Sequence, residues 1–85
     1  MAATHKKALI ERYIVLDCDA PERAYLRGHG GHVWALIEHL QQVQPDPRKL
    51  ADEFGVPDEA IEAVLAYYEL HKPRIDARIR LNAPA

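Results

Sequence analysis

The 85-residue chain has no serine, and only one cysteine, one methionine, one tryptophan and one phenylalanine. Without serine, hydrolytic chemistry of the Ser-His-Asp kind is excluded. A lone cysteine, Cys18, excludes an intramolecular disulfide framework and points to a reducing compartment, so the expected location is the cytoplasm. No uninterrupted apolar stretch approaches the ~20 residues that span a bilayer. The basic start His5-Lys6-Lys7 runs into Glu11 and Arg12 instead of the apolar run of a signal peptide. Neither sign of charge dominates: 11 Lys and Arg stand against 13 Asp and Glu, a formal net charge of −2. The strongly basic balance of many nucleic-acid-binding domains is missing.

What is present is an apolar fraction of 48%, too high for a disordered chain. By surface scaling, a chain of 9.7 kDa buries about 64% of its extended surface. A core that small gains from association with a second copy.

The order of residues predicts one mainly helical domain with a short N-terminal strand pair. Residues 1–11 show no clear period and read as a loose, mildly basic end. The β-branched and aromatic segment 12–17 reads as a strand. Asp19 and Pro21 suit a turn, and the alternating segment 23–27 reads as a second strand. An isolated hairpin leaves unpaired edges. The expected cover is the helices or a second protomer, which makes a homodimer paired through these strands the expected assembly.

After Gly28-His29-Gly30-Gly31-His32 the period becomes helical. Val33, Leu36, Ile37, Leu40 and Val43 form a stripe over 33–43. Asp46 and Pro47 open a helix over 47–54, and Gly55 stops it. Pro57 and Asp58 open a helix over 58–71 with the stripe Ile61, Val64, Leu65 and Tyr68. Pro73 is expected to break it. A last helix over 74–81 sets Ile75 and Ile79 on one face, offered as an apolar partner surface with Arg74 and Arg78 beside it. Residues 82–85 read as a loose tail.

The segment 47–66 fits a helix-turn-helix, homeodomain-like or winged-helix-like in type. Leu50, Ala51, Phe54, Val56, Ile61 and Val64 fill its shared core. Ala51 is small where the helices approach, and Gly55 takes a turn conformation that a β-carbon strains. In DNA-binding versions the second helix lies in the major groove. Here that helix carries Asp58, Glu59, Glu62 and Glu69, which repel phosphates. Positive charge gathers elsewhere: at Arg12, Arg23 and Arg27 by the strands, at Arg48 and Lys49, and at Lys72, Arg74, Arg78 and Arg80. Arg12, Arg27, His29, His32, Arg48 and Lys49 are the candidate contacts to an acidic partner, whether protein or DNA.

Little points to catalysis. Gly28-His29-Gly30-Gly31 lacks the Lys-Ser/Thr of a phosphate loop. Nothing orients a histidine on Cys18. His29, His32 and His39 are metal-type ligands without the second cluster a site needs, unless Cys18 or Asp17 folds back. No catalytic residue, cofactor or metal site is assigned, and the expectation is a protein that is not an enzyme.

Three stretches together resemble the small prokaryotic family called domain of unknown function 433. They are Arg23-Ala-Tyr-Leu-Arg-Gly28 with Val33-Trp34-Ala-Leu36-Ile37; Lys49-Leu-Ala-Asp-Glu-Phe-Gly-Val56; and Ile61-Glu-Ala-Val-Leu-Ala-Tyr67-Tyr68 with His71 and Ile75-Asp76. The resemblance covers residues 12 to about 79. It implies a helix-turn-helix domain with N-terminal strands that acts as an antitoxin, binding a PIN-like nuclease toxin and its own operator DNA. One departure stands out: the family's Thr-Arg-Ile after the glycine is replaced by His29-Gly30-Gly31, so the Arg and the apolar Ile are lost. Two functions follow as expectations. One is an antitoxin-type partner and transcriptional autoregulator; the other is a protein-interaction module that does not bind DNA.

Overall fold

The computed structural model describes residues 2–17 and 19–82. They form a mainly helical fold with one small antiparallel sheet. In chain order the elements are helix α1 (Ala2–Tyr13), strand β1 (Ile14–Val15), a 3-10 turn (Pro21–Arg23), strand β2 (Tyr25–Leu26), and helices α2 (Val33–Gln42), α3 (Pro47–Phe54), α4 (Asp58–Leu70) and α5 (Lys72–Asn82). Cys18 and the tail residues 83–85 lie outside the described residues.

Helix α4 is the centre. Ala60, Ile61, Ala63, Val64, Ala66 and Tyr67 are all buried on it. That is too wide an apolar surface for one neighbour, and α1, α2, α3 and α5 all pack against it. Helix α3 meets it through Leu50 and Ala51, which are 0% and 1% exposed, with Phe54 and Val56 packed at the edge of the core. The sequence of α3 fixes both of its ends. Asp46 caps it by accepting from the Arg48 backbone N–H at 2.9 Å, Pro47 opens it, and Gly55 closes it with φ +68°, a left-handed value that favours glycine.

The N-terminal half departs from the sequence reading. Residues 2–13 are a helix, not a loose end. Leu9 and Ile10 are buried and Tyr13 packs against the core, so tertiary contact with α4 supplies an order that so short an apolar pattern does not show. Because this helix runs through Arg12 and Tyr13, the strand expected over 12–17 shrinks to Ile14–Val15. The strand expected over 23–27 shrinks to Tyr25–Leu26, since Pro21 starts a 3-10 turn that takes Arg23. Ile14 pairs with Leu26 and Val15 with Tyr25.

The far edge of β2 is closed by the chain itself. Leu26 donates its N–H to Gly31 O at 2.8 Å, Val33 donates to Ala24 O at 3.0 Å, and Tyr25 and His32 form a bridge. This edge therefore offers no strand to a second copy.

Three smaller corrections concern the helices. Val43 stands outside α2 and is 68% exposed, so it does not extend the stripe. Helix α4 ends at Leu70, with His71 capping it. Pro73 does not delay the last helix: α5 begins at Lys72 and takes the proline in its first turn, where a missing N–H costs nothing.

Candidate interaction surfaces

On α4 the residues that turn outward are Asp58, Glu59, Glu62, Glu69 and Leu70. Helix α1 runs along this side. Lys6 Nζ sits 2.9 Å from Glu69 Oε2, and the Tyr13 hydroxyl donates to Glu59 Oε2 at 3.3 Å. These two contacts, near opposite ends of both helices, set α1 antiparallel to α4. Helix α4 is thus flanked by another helix and shows carboxylates where it is open.

Between α1 and α4 lies an apolar groove of about 660 Å³, with Ile10, Leu16, Ala66, Tyr67 and Leu70 in its walls and Lys6, Lys7, Glu11, Glu69 and His71 around them. Leu16 and Leu70 are 52% and 68% exposed. Leu70 stands off the apolar stripe of its helix, a signal the sequence carried and the stripe obscured.

The predicted contact residues fall into separate groups. Arg12 and Arg27 come together: Arg27 Nε donates to the Arg12 carbonyl at 3.3 Å. Arg48 and Lys49 share a shallow hollow with Asp52 and Asp58. His29 packs against the fold. Its ring stacks on Phe54 at 5.3 Å, and its Nδ1 accepts from the Gly31 N–H at 3.2 Å. A β-carbon on Gly31 would stand 2.8 Å from that nitrogen. The histidine at 29 and the glycine at 31 are one packing solution, with an imidazole filling space beside Phe54 that a side chain at 31 would contest. His39 reaches the same ring from α2 at 5.4 Å. His32 caps α2 through its backbone and leaves its ring exposed.

No family model, curated protein or solved structure matches the chain.

The C-terminal segment is not an open apolar surface. Ile75 is 0% exposed and Ile79 packs against the core, because α5 folds back on α2 and on the 3-10 turn. Arg74 lies 3.5 Å from Glu22 Oε1. Arg78 sits over the Trp34 ring at 4.3 Å.

Two tyrosines hold this half together. The Tyr67 hydroxyl donates to Pro21 O at 2.9 Å, and that of Tyr68 donates to Asp76 Oδ1 at 2.6 Å. Burial pushes the Tyr67 phenol above its ordinary value, with Glu22 and Asp17 adding to it. Tyr68 is raised by burial and then by Asp76. Both stay protonated and donating at neutral pH. Among the described residues, no three His, Cys, Asp or Glu side chains are grouped to hold a metal ion.

Proposed function

We propose that the chain is a non-enzymatic interaction module of helix-turn-helix type, an antitoxin-like partner of another protein, and that it does not read duplex DNA through α4. The observation that carries this reading is the setting of α4: α1 lies along it, and its open positions are Asp58, Glu59, Glu62, Glu69 and Leu70. Phosphate neutralisation dominates DNA affinity, and such a surface provides none. The pair α3–α4, with its capped first helix and left-handed Gly55, supports the helix-turn-helix reading. The groove between α1 and α4, with its exposed leucines, supports protein binding, since contiguous exposed apolar surface marks interaction sites.

Two measurements test it. In fluorescence anisotropy at low salt, duplex DNA of mixed sequence is expected to show no binding. Co-expression with a PIN-like nuclease of the same genome is expected to give a stable complex, weakened by Leu70→Glu. Saturable duplex binding at low salt that is lost on alanine substitution of the exposed α4 residues Glu59 and Glu62 would overturn the proposal.

A further inference from the structure

Three aromatic rings form a row where β2 meets the start of α2. The ring centroids of Tyr25 and His32 are 6.3 Å apart, and those of His32 and Trp34 are 6.4 Å apart. The Arg78 guanidinium, from α5, lies 4.3 Å from the Trp34 ring centre. The row is reachable from solvent: Tyr25 and His32 are exposed, and Trp34 and Arg78 are half-buried. Arg23, at the end of the 3-10 turn, and Arg27, just past β2, are also exposed, and Arg27 Nε is bonded to the Arg12 carbonyl.

These cations are not neutralised by neighbours. The ion pairs of the described residues engage Lys6, His39 and Arg74, not Arg23, Arg27 or Arg78. Glu22, next to Arg23 in the chain, turns inward to Arg74 with its second oxygen buried.

Two exposed rings, Tyr25 and His32, beside a half-buried Trp34 that carries a guanidinium make the kind of surface that holds single-stranded nucleic acid. Every base has a π face to stack, and the cations follow the phosphates. An acidic peptide would use the arginines but not the rings. A duplex keeps its base faces stacked inside and cannot use the rings either. We infer that the face formed by Tyr25, His32, Trp34 and Arg78, flanked by Arg23 and Arg27, binds single-stranded nucleic acid by base stacking. This goes beyond the proposed protein partnership and uses none of the groove between α1 and α4.

Trp34 is the only tryptophan, so its fluorescence reports on the face directly. The full chain is titrated at low salt with oligo(dT), with oligo(U), with a duplex of equal length and with polyglutamate. Saturable quenching is expected with one or both single strands, the two arms showing whether DNA or RNA is preferred, and it should weaken as salt rises. Duplex and polyglutamate should leave the signal unchanged. Tyr25→Ala and Arg78→Gln are each expected to weaken strand binding about tenfold, with circular dichroism and melting temperature retained. Should Tyr25→Ala fail to fold, Arg78→Gln carries the test. Arg48→Gln, outside the face, and Leu70→Glu, in the groove, should bind strands as the parent does, so failure here and failure of the protein partnership remain separate. No quenching by either strand at low salt overturns the inference, as does equal quenching by duplex or polyglutamate, or full strand binding by both face variants.

Discussion

Helices α3 and α1 both pack on α4, and they reach it by different routes. Helix α3 carries its own boundaries: the Asp46 cap, Pro47 in the first turn, and Gly55 with its N–H bonded to Ala51 O and Asp52 O. Helix α1 has no acidic residue in its first turn and only Arg12 as a basic residue in its last. A helix of 12 residues without strong local signals is marginal in water. The order of α1 therefore comes from α4, through Leu9 and Ile10; α3, of 8 residues, also needs α4 for its stability, but its own residues fix where it begins and ends. The same central helix supports one neighbour that the sequence specifies and one that only the fold explains.

The largest test removes a side chain from the specified side. Leu50 is 0% exposed, and Leu50→Ala is expected to cost roughly 2–5 kcal/mol. Denaturant melts followed by circular dichroism and by Trp34 fluorescence should shift together, because α3 and α4 share one cooperative core. The matching test on the other side is Leu9→Ala, at a site 7% exposed. The expected loss is roughly 2 kcal/mol, at the low end of the same range, since α1 can detach in part. Hydrogen exchange then distinguishes the two helices. In the Leu9 variant the α1 amides should lose protection while α3 and α4 keep theirs. Simultaneous loss in all three would mean that α1 belongs to the same cooperative unit as α3 and α4.

How much could be read in the sequence follows the same division. The helices over 33–43, 47–54, 58–71 and 74–81 leave an apolar period and punctuation by Asp46, Pro47, Gly55 and Pro57, and the structure has helices at Val33–Gln42, Pro47–Phe54, Asp58–Leu70 and Lys72–Asn82. Where there is no period, sequence and structure differ. Leu9, Ile10 and Tyr13 give too few positions to show one, so the sequence suggests a loose end over 1–11 and a strand from Arg12, where the structure has a helix through Tyr13. Interaction surfaces were harder still, because charge in a sequence does not show who neutralises it. Arg74 faces Glu22, and Arg48 and Lys49 share a hollow with Asp52 and Asp58. The row of Tyr25, His32 and Trp34 appears only once the loop after β2 turns back against it, bringing Tyr25 and His32 into a bridge.

Gly55 tests the local side at finer scale. A β-carbon there meets nothing within 4 Å, so Gly55→Ala carries no clash and only the strain of a left-handed residue. The expected cost is about 1–2 kcal/mol, measured by thermal melting. Gly55→Asn should recover part of it, since asparagine tolerates this conformation. A neutral Gly55→Ala would mean that the turn relaxes, and that Gly55 does not fix the end of α3.

Tyr67 joins the two halves through its bond to Pro21 O at 2.9 Å. Tyr67→Phe should cost about 1 kcal/mol. The pH dependence has a definite sign. The folded phenol is raised above its ordinary value of 10.0, so the protonated form is favoured in the folded state. Its contribution is complete below the unfolded value and is lost as pH rises through the folded one. The parent should therefore lose stability in that alkaline window more steeply than Tyr67→Phe. Equal slopes would place the linkage elsewhere, for example at Tyr68.

The smallest effect is expected at the most visible contact between α1 and α4. Lys6 Nζ and Glu69 Oε2 are 2.9 Å apart, but their side chains are 51% and 65% exposed. Solvent screens such a pair, and ordering two long side chains offsets much of its attraction, so Lys6→Ala should cost roughly 0.2–1 kcal/mol. At molar salt, where the screening length is about 3 Å, parent and variant should converge. A larger loss that disappears in salt would mean that charge, not Leu9 and Ile10, holds α1 in place. The Leu9 variant would then keep its α1 protection, and the two experiments would together reverse the account of how α1 is ordered.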